Sequence, residues 1–239
     1  MAQPIEIGMC ASPDRVDVMA PGYDYIELPV SRALNPLEDD ETFADTLAQL
    51  QAIEAPIRAF NVFVASQVKL VGEKVDWHQV DVYVQRAVQR AAEVGGQVIV
   101  FGSGGARQVP EGFSRDLAWG QLMRFLNLCA DQANKHGLTI AIEPLNRQET
   151  NIINSYAEGV CLAEAVHRRE VRVLADIYHM EMECESLDAI REAPEWLAHV
   201  HLADTGRRNP GSGSYPLEGL FELLKEIGYQ GRASIECRW

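Results

Sequence analysis

Four short segments in the second half of this 239-residue chain carry side chains able to hold a cation or move a proton. They are IAIE ending at Glu143, VLAD ending at Asp176, HVHLAD with His199 and His201, and ASIE ending at Glu236. Each sets a carboxylate or imidazole at or near the end of an apolar run that reads as a β-strand. Singly, an acid at a strand end is a helix cap or an ion-pair partner. Four on consecutive strands ask for more, because burying three carboxylates together without a cation is costly. Three carboxylates with one imidazole make an oxygen-rich donor set that suits Mn²⁺, Co²⁺ or Mg²⁺ better than a soft-metal site would. His199 and His201 share one strand face, so one is a candidate ligand and the other an interior, hydrogen-bonded histidine.

Such a set converges only if a scaffold brings several strand ends together. Eight strand-like runs recur at 5–10, 23–28, 56–64, 97–103, 138–144, 171–178, 197–204 and 232–237. Between most of them lie segments of helical periodicity, such as 80–95, 117–137 and 217–228. These end in Gly95, Gly137 and Gly228, the residue favoured just past a helix C-terminus. Strand–helix alternation without a long structureless linker predicts one parallel α/β domain over residues 1–239. Eight units favour a closed (β/α)₈ TIM barrel, and the length fits the roughly 250 residues typical of one. No GxGxxG follows the first strand, which removes the usual dinucleotide-binding alternative. Functional side chains of such barrels project from the C-terminal ends of strands, where these four segments place theirs. Only a few residues, up to Trp239, follow the eighth strand, so the final helix is expected to be lacking.

Composition narrows the partners. With 21 basic and 35 acidic residues the formal charge is −14, a field that repels nucleic-acid phosphates and anionic lipid. No apolar run approaches the roughly 20 residues of a membrane span, and MAQPIEIGMC lacks the features of a secretory leader. Five scattered cysteines without a CxxC pair argue against a disulfide framework or thiolate zinc site, and fit a reducing, cytoplasmic compartment. GSGGAR (102–107) offers backbone N–H groups to an anion, although a plain loop is the simpler reading. Together with Arg207 and Arg208 it allows a substrate phosphate without requiring one. His78, His136 and His167 read as surface residues. Phe113 and Trp119 are candidates for an apolar wall over the site, with helix packing the simpler reading for Trp119. Tyr25 and Glu27 lie on the second strand and can face the site, but no motif fixes them.

The segments IEPLNRQET (142–150), DIYHM (176–180), HVHLADTGRRNPGSG (199–213) and SIEC (234–237) resemble the xylose-isomerase-like barrel superfamily. The likeness is greatest to its sugar isomerase and epimerase branch, which includes ketose 3-epimerases of the tagatose and psicose type and hydroxypyruvate isomerase. It runs from the first strand to the eighth, with the motifs in the family's order. The resemblance implies that Glu143, Asp176, His201 and Glu236 hold one divalent metal, Mn²⁺ foremost, with Co²⁺ or Mg²⁺ as alternatives. It implies that Glu143 and Glu236 are the catalytic acid/base pair. His179, Arg207 and Glu149 would contact substrate oxygens, while Asn146 and Arg147 organise the loop. A homodimer or homotetramer is implied as well.

The expected activity is a metal-dependent isomerase or epimerase moving a proton α to the carbonyl of a sugar or sugar phosphate, with 3-epimerisation of a ketose the leading form. The carbon acid is weak, so a Lewis-acidic cation is needed to stabilise the enediolate while a carboxylate takes the proton. The same residues would serve an aldose–ketose isomerase of the hydroxypyruvate isomerase type, or a dehydratase of the same superfamily. A DNA-repair endonuclease of the superfamily is disfavoured by the −14 charge and by histidine-free strands one to four. An inactive scaffold would have no use for four costly ligands.

Overall fold

Side-chain alternation along eight parallel strands decides what fills the centre of this molecule. The computed structural model describes residues 4–16 and 22–238. Within them, β1 (Glu6–Cys10), β2 (Tyr25–Pro29), β3 (Ile57–Asn61), β4 (Val98–Phe101), β5 (Thr139–Ile142), β6 (Val171–Asp176), β7 (Leu197–Leu202) and β8 (Arg232–Ile235) form a closed parallel barrel in sequence order. β8 closes on β1 in a register running from Glu6 opposite Arg232 to Met9 opposite Ile235. This is the (β/α)₈ architecture expected. Met1–Gln3 and Trp239, on which the readings of the chain ends fall, lie outside the described residues. Among the described residues no helix follows β8.

Two strands are shorter than their apolar runs for local reasons. β3 ends at Asn61 because Val62 takes a left-handed φ of 45°. β6 ends at Asp176 because that side chain accepts the N–H of His179 and starts a helix.

Outside the barrel lie α1 (Val30–Ala33), α2 (Asp40–Gln51), α3 (Trp77–Glu93), α4 (Gly104–Arg107), α5 (Arg115–His136), α6 (Tyr156–Val166), α7 (Ile177–Met182), α8 (Asp188–Glu192) and α9 (Leu217–Glu226). Asp39, Asp76, Ser114 and Ser155 cap α2, α3, α5 and α6 by accepting first-turn N–H groups, each worth about 1 kcal/mol. α3 turns Val80, Val84, Ala87, Val88 and Ala91 inward, a helical spacing. On α5, Phe125 packs against Phe63 and Phe101 with ring centroids 5.7 and 4.8 Å away. None of these helices is long and apolar enough to cross a membrane.

The interior is layered. Tyr25, Ala59, Val98, Val100, Ala141 and Leu174 form one buried apolar plug. Gly8 makes room for it, since a Cβ there would lie 2.3 Å from the Tyr25 ring. One two-residue step toward the C-terminal strand ends leads to Glu27, Asn61, Gly102, Glu143 and Asp176. The same step on the last two strands leads from His199 to His201 and from Ser234 to Glu236. Alternation thus stacks a polar layer on an apolar one.

Candidate active site

The polar layer converges on one imidazole. His201 is fully buried, with Nδ1 3.2 Å from Glu143 Oε1, 3.4 Å from Glu236 Oε2 and 3.5 Å from Asp176 Oδ2. The donor atoms of these four residues all lie within 4.8 Å of one another. Asp176 divides its work: Oδ1 accepts the His179 N–H at 3.0 Å, whereas Oδ2 is buried without a partner. An orphaned carboxylate oxygen among other acids is unfavourable unless a cation faces it. By donor type, three oxygens and one nitrogen, the set fits a single divalent ion.

Electrostatics follow from the crowding. Burial disfavours a charged His201, yet Glu27, Glu236 and Asp176 raise its pKa well above the ordinary imidazole value. Burial pushes the Glu143 carboxyl up, and His201 offsets this only in part. Burial works the same way on Asp176, but His179, His201 and Arg207 hold it well below the usual carboxylate range. Cys10 also lies within 4.8 Å of Glu27 and His201. Burial, reinforced by Glu27, raises its thiol well above the ordinary value, which disfavours a thiolate ligand.

Strands β2 to β4 supply the supports. Glu27 is fully buried and meets His201 Nε2 at 2.9 Å and His199 Nε2 at 2.9 Å. Asn61 Nδ2 donates to Glu236 Oε1 at 3.3 Å. Gly102 leaves space that Glu143 uses, since a Cβ there would sit 2.0 Å from Glu143 Oε2. Arg107 is fully buried and donates to the carbonyls of Phe101 at 3.0 Å and Glu143 at 2.8 Å, tying the ends of β4 and β5 together. Burial lowers its pKa to about 10.

A cleft of about 630 Å³ opens above this layer. Glu143, Glu149, His179, Arg207 and Glu236 line it on one side, and Asn61, Val62, Ser66, Ser103 and Gly104 on the other. His179 Nδ1 accepts the backbone N–H of Asn146 at 3.1 Å, which leaves Nε2 to carry the proton of the neutral ring. Asn146 Nδ2 also donates to Glu149 at 3.3 Å. Arg207 donates to Glu236 at 2.5 Å and lies 3.8 Å from Glu149 and 4.9 Å from the Tyr178 ring centroid. Its own φ is 62°. The loop that holds it there is clamped by Asp204, whose carboxylate accepts the N–H groups of Thr205, Gly211 and Tyr215 at 2.8, 2.9 and 2.9 Å.

Five of the seven expected site residues line the cleft, Asp176 and His201 lie buried beside them in the polar layer, and several side readings need amendment. GSGGAR is not a plain loop: Gly104–Arg107 form a short helix, the Ala106 and Arg107 N–H groups bond Ser103, and Arg107 points into the core. Arg208 does not face the cleft; it is exposed, with Nε on the Thr205 carbonyl at 2.9 Å. Phe113 and Trp119 pack against the core and do not line the cleft. Arg147 pairs with Glu183 at the surface. His78, His136 and His167 are exposed as expected. No motif marks Glu27 or Asn61, and GSGGAR contains Gly102 and Arg107 without pointing to the roles they have here. The one signal that reaches Glu27 is period-two alternation with Tyr25.

Comparison with known proteins bears on this geometry. Residues 18–239 match the family described as xylose isomerase-like TIM barrel. The D-psicose 3-epimerase of Agrobacterium fabrum (strain C58) is 39% identical over 112 residues, 46% of this chain and 39% of that protein. The 3-dehydro-D-guloside 4-epimerase of Escherichia coli (strain K12) is 33% identical over 162 residues, 65% of this chain and 62% of that protein. The chain therefore spans less than two thirds of either relative. Among solved structures, the D-allulose 3-epimerase from Methylomonas sp. in complex with D-allulose superposes with a TM-score of 0.81 at 27% identity, over 99% of this chain and 86% of that one.

Proposed function

The chain belongs to the xylose isomerase-like TIM barrel family, and from that membership and the site geometry we propose that it is a metal-dependent sugar epimerase. It inverts a carbon next to the carbonyl of a sugar or sugar phosphate, with a ketose inverted at C3 as the leading substrate. The observation that carries this reading is the meeting of Glu143, Asp176 and Glu236 around Nδ1 of one buried histidine, with Asp176 Oδ2 left without a partner. Glu143, Asp176, His201 and Glu236 would hold one divalent ion, Mn²⁺ foremost. Bound there, the ion supplies Lewis-acid polarisation of the substrate carbonyl.

The remaining work falls to side chains. Glu143 and Glu236 come from strands three places apart around the barrel and both reach the centre. One removes the proton from carbon, and the electron pair left behind delocalises into the adjacent carbonyl. The other, protonated, returns a proton to the opposite face, and exchange with solvent resets the pair. Arg207 and Asn61 orient Glu236 by donating to its two oxygens. His179 presents Nε2–H to a substrate oxygen, its ring fixed by Asn146. Arg207 and Glu149 bind hydroxyl groups farther along the cleft. The names of the relatives, which act as 3- and 4-epimerases, support inversion over dehydration.

The test is solvent-deuterium incorporation. Free and phosphorylated ketoses incubated with the Mn²⁺-loaded protein in deuterated water should gain one deuterium at the inverted carbon, and EDTA should abolish it. Loss of water from the product would mark a dehydratase instead, and undiminished turnover by metal-stripped protein would remove the ion from the mechanism.

A further inference from the structure

Glu27 is a fully buried carboxylate that does not line the cleft. It lies beneath the cation-binding set rather than in it. Oε1 meets His201 Nε2 at 2.9 Å, while Oε2 meets His199 Nε2 at 2.9 Å and the Ser234 hydroxyl at 2.6 Å. Tyr25 stands behind Ser234, with its hydroxyl 2.7 Å from Ser234 Oγ.

Hydrogen-bond parity assigns every proton in this group. An ionised carboxylate only accepts, so each of its three neighbours must donate. Ser234 therefore spends its proton on Glu27 and accepts that of Tyr25. His199 gives Nε2–H, and its Nδ1, buried without a partner, is the bare nitrogen of the neutral ring. His201 must also give Nε2–H, so Nδ1, which faces Glu143, Asp176 and Glu236, is the nitrogen that can exchange its proton for a cation. Three carboxylates around Nδ1 hold a proton there while no cation is bound, and a cation that takes its place makes Nδ1 a ligand.

We propose that Glu27 is a positioning residue for the metal centre. It fixes the tautomer and angle of His201 so that Nδ1 is the donor. As a buried anion behind the ring it also strengthens that nitrogen as a ligand. His199, Ser234 and Tyr25 in turn hold Glu27. This assignment rests on the metal reading given above and extends it to residues that touch neither ion nor substrate.

The test uses the full chain. Metal-stripped wild type and Glu27→Gln are titrated with Co²⁺, following both the heat of binding and the visible absorption of the bound ion. A glutamine of the same shape places an NH₂ group among neighbours that must all donate, so His201 or His199 is driven out of its tautomer. Co²⁺ affinity should fall about 10- to 100-fold, with shifted absorption bands and native-like circular dichroism. Wild-type affinity and spectrum in a folded Glu27→Gln protein would overturn the assignment while leaving the metal reading intact. A wild type that binds no Co²⁺ would overturn both. A second measurement needs no variant. In ¹⁵N-histidine-labelled wild type loaded with Zn²⁺, one histidine should carry its proton on Nε2 and the metal on Nδ1. The reverse tautomer overturns the assignment even if Glu27→Gln fails to fold.

Discussion

The two halves of the barrel divide the site unequally. β5 to β8 contribute every proposed ligand, Glu143, Asp176, His201 and Glu236, each within one residue of a strand end. β1 to β4 contribute mainly what holds those ligands: Glu27 behind His201, Asn61 on Glu236, and the empty space at Gly102 into which Glu143 fits. The first half also builds the opposite wall of the cleft, from residues such as Val62, Ser66 and Ser103. The difference shows that chemistry and support obey different constraints. A ligand must be one of a few residue types at one position, whereas a support needs only the right donor, acceptor or vacancy at the right distance.

Substitutions in the two halves should therefore differ in kind, and the largest effects belong to the second half. Glu143→Gln or Glu236→Gln should lower solvent-deuterium incorporation by about 10²- to 10⁴-fold, the range of general acid–base contributions, with circular dichroism unchanged. Near-wild-type exchange in both would break the two-glutamate scheme. In the first half, Gly102→Ala should weaken metal binding roughly tenfold, read by Mn²⁺ titration, because the added methyl displaces Glu143. An unaltered affinity there would erase the distinction between ligand and support.

Smaller effects sharpen the contrast further. Asn61→Ala removes one hydrogen bond to Glu236 and should cost roughly 2- to 10-fold in kcat, the equivalent of about 0.5–1.5 kcal/mol. Arg207→Ala should raise KM for the ketose more than its neighbour Arg208→Ala, which should leave steady-state rates within about twofold. Equal effects from the two arginines would contradict the orientation described for them.

Acid titration probes the loop after β7. The N–H groups of Tyr215, Thr205, Gly213 and Gly211 lower the Asp204 carboxyl to about 2. Because this value lies below the ordinary Asp range near about 4, the clamp acts fully above that range and is lost only as pH falls through about 2. Amide-exchange protection of Tyr215 should accordingly persist at pH 3, and its loss by pH 4 would contradict the clamp.

How far the sequence carries depends on the same division. Glu143, Asp176, His201 and Glu236 are readable because each lies at or near the end of an apolar run and sits in an ordered set of motifs. Glu27 is hidden because a glutamate inside a strand looks like any cap or ion-pair residue until the facing strand is known. Its alternation with Tyr25 predicts an inward side chain but no partner. Asn61 is hidden because the run PIRAFNVFV reads as one strand through residue 64, whereas the left-handed Val62 ends it at Asn61 and makes Asn61 a rim residue. The glycines of GSGGAR suggest exposed loop, yet Gly104 and Gly105 are small because backbone and Ser66 press against them, the would-be Cβ atoms meeting Glu149 O at 2.8 Å and Ser66 Cβ at 3.0 Å. Arg207 and Arg208 look equivalent in the sequence, but the left-handed backbone at Arg207 sends the two side chains apart.

The central claim is that four side chains from neighbouring strands share one cation. Anomalous diffraction from crystals soaked in Mn²⁺ tests it most directly. One peak is expected within about 2.0–2.4 Å of a carboxylate oxygen from each of Glu143, Asp176 and Glu236 and of His201 Nδ1. No peak at saturating Mn²⁺, or one bound through His201 Nε2 beside Cys10, would contradict it.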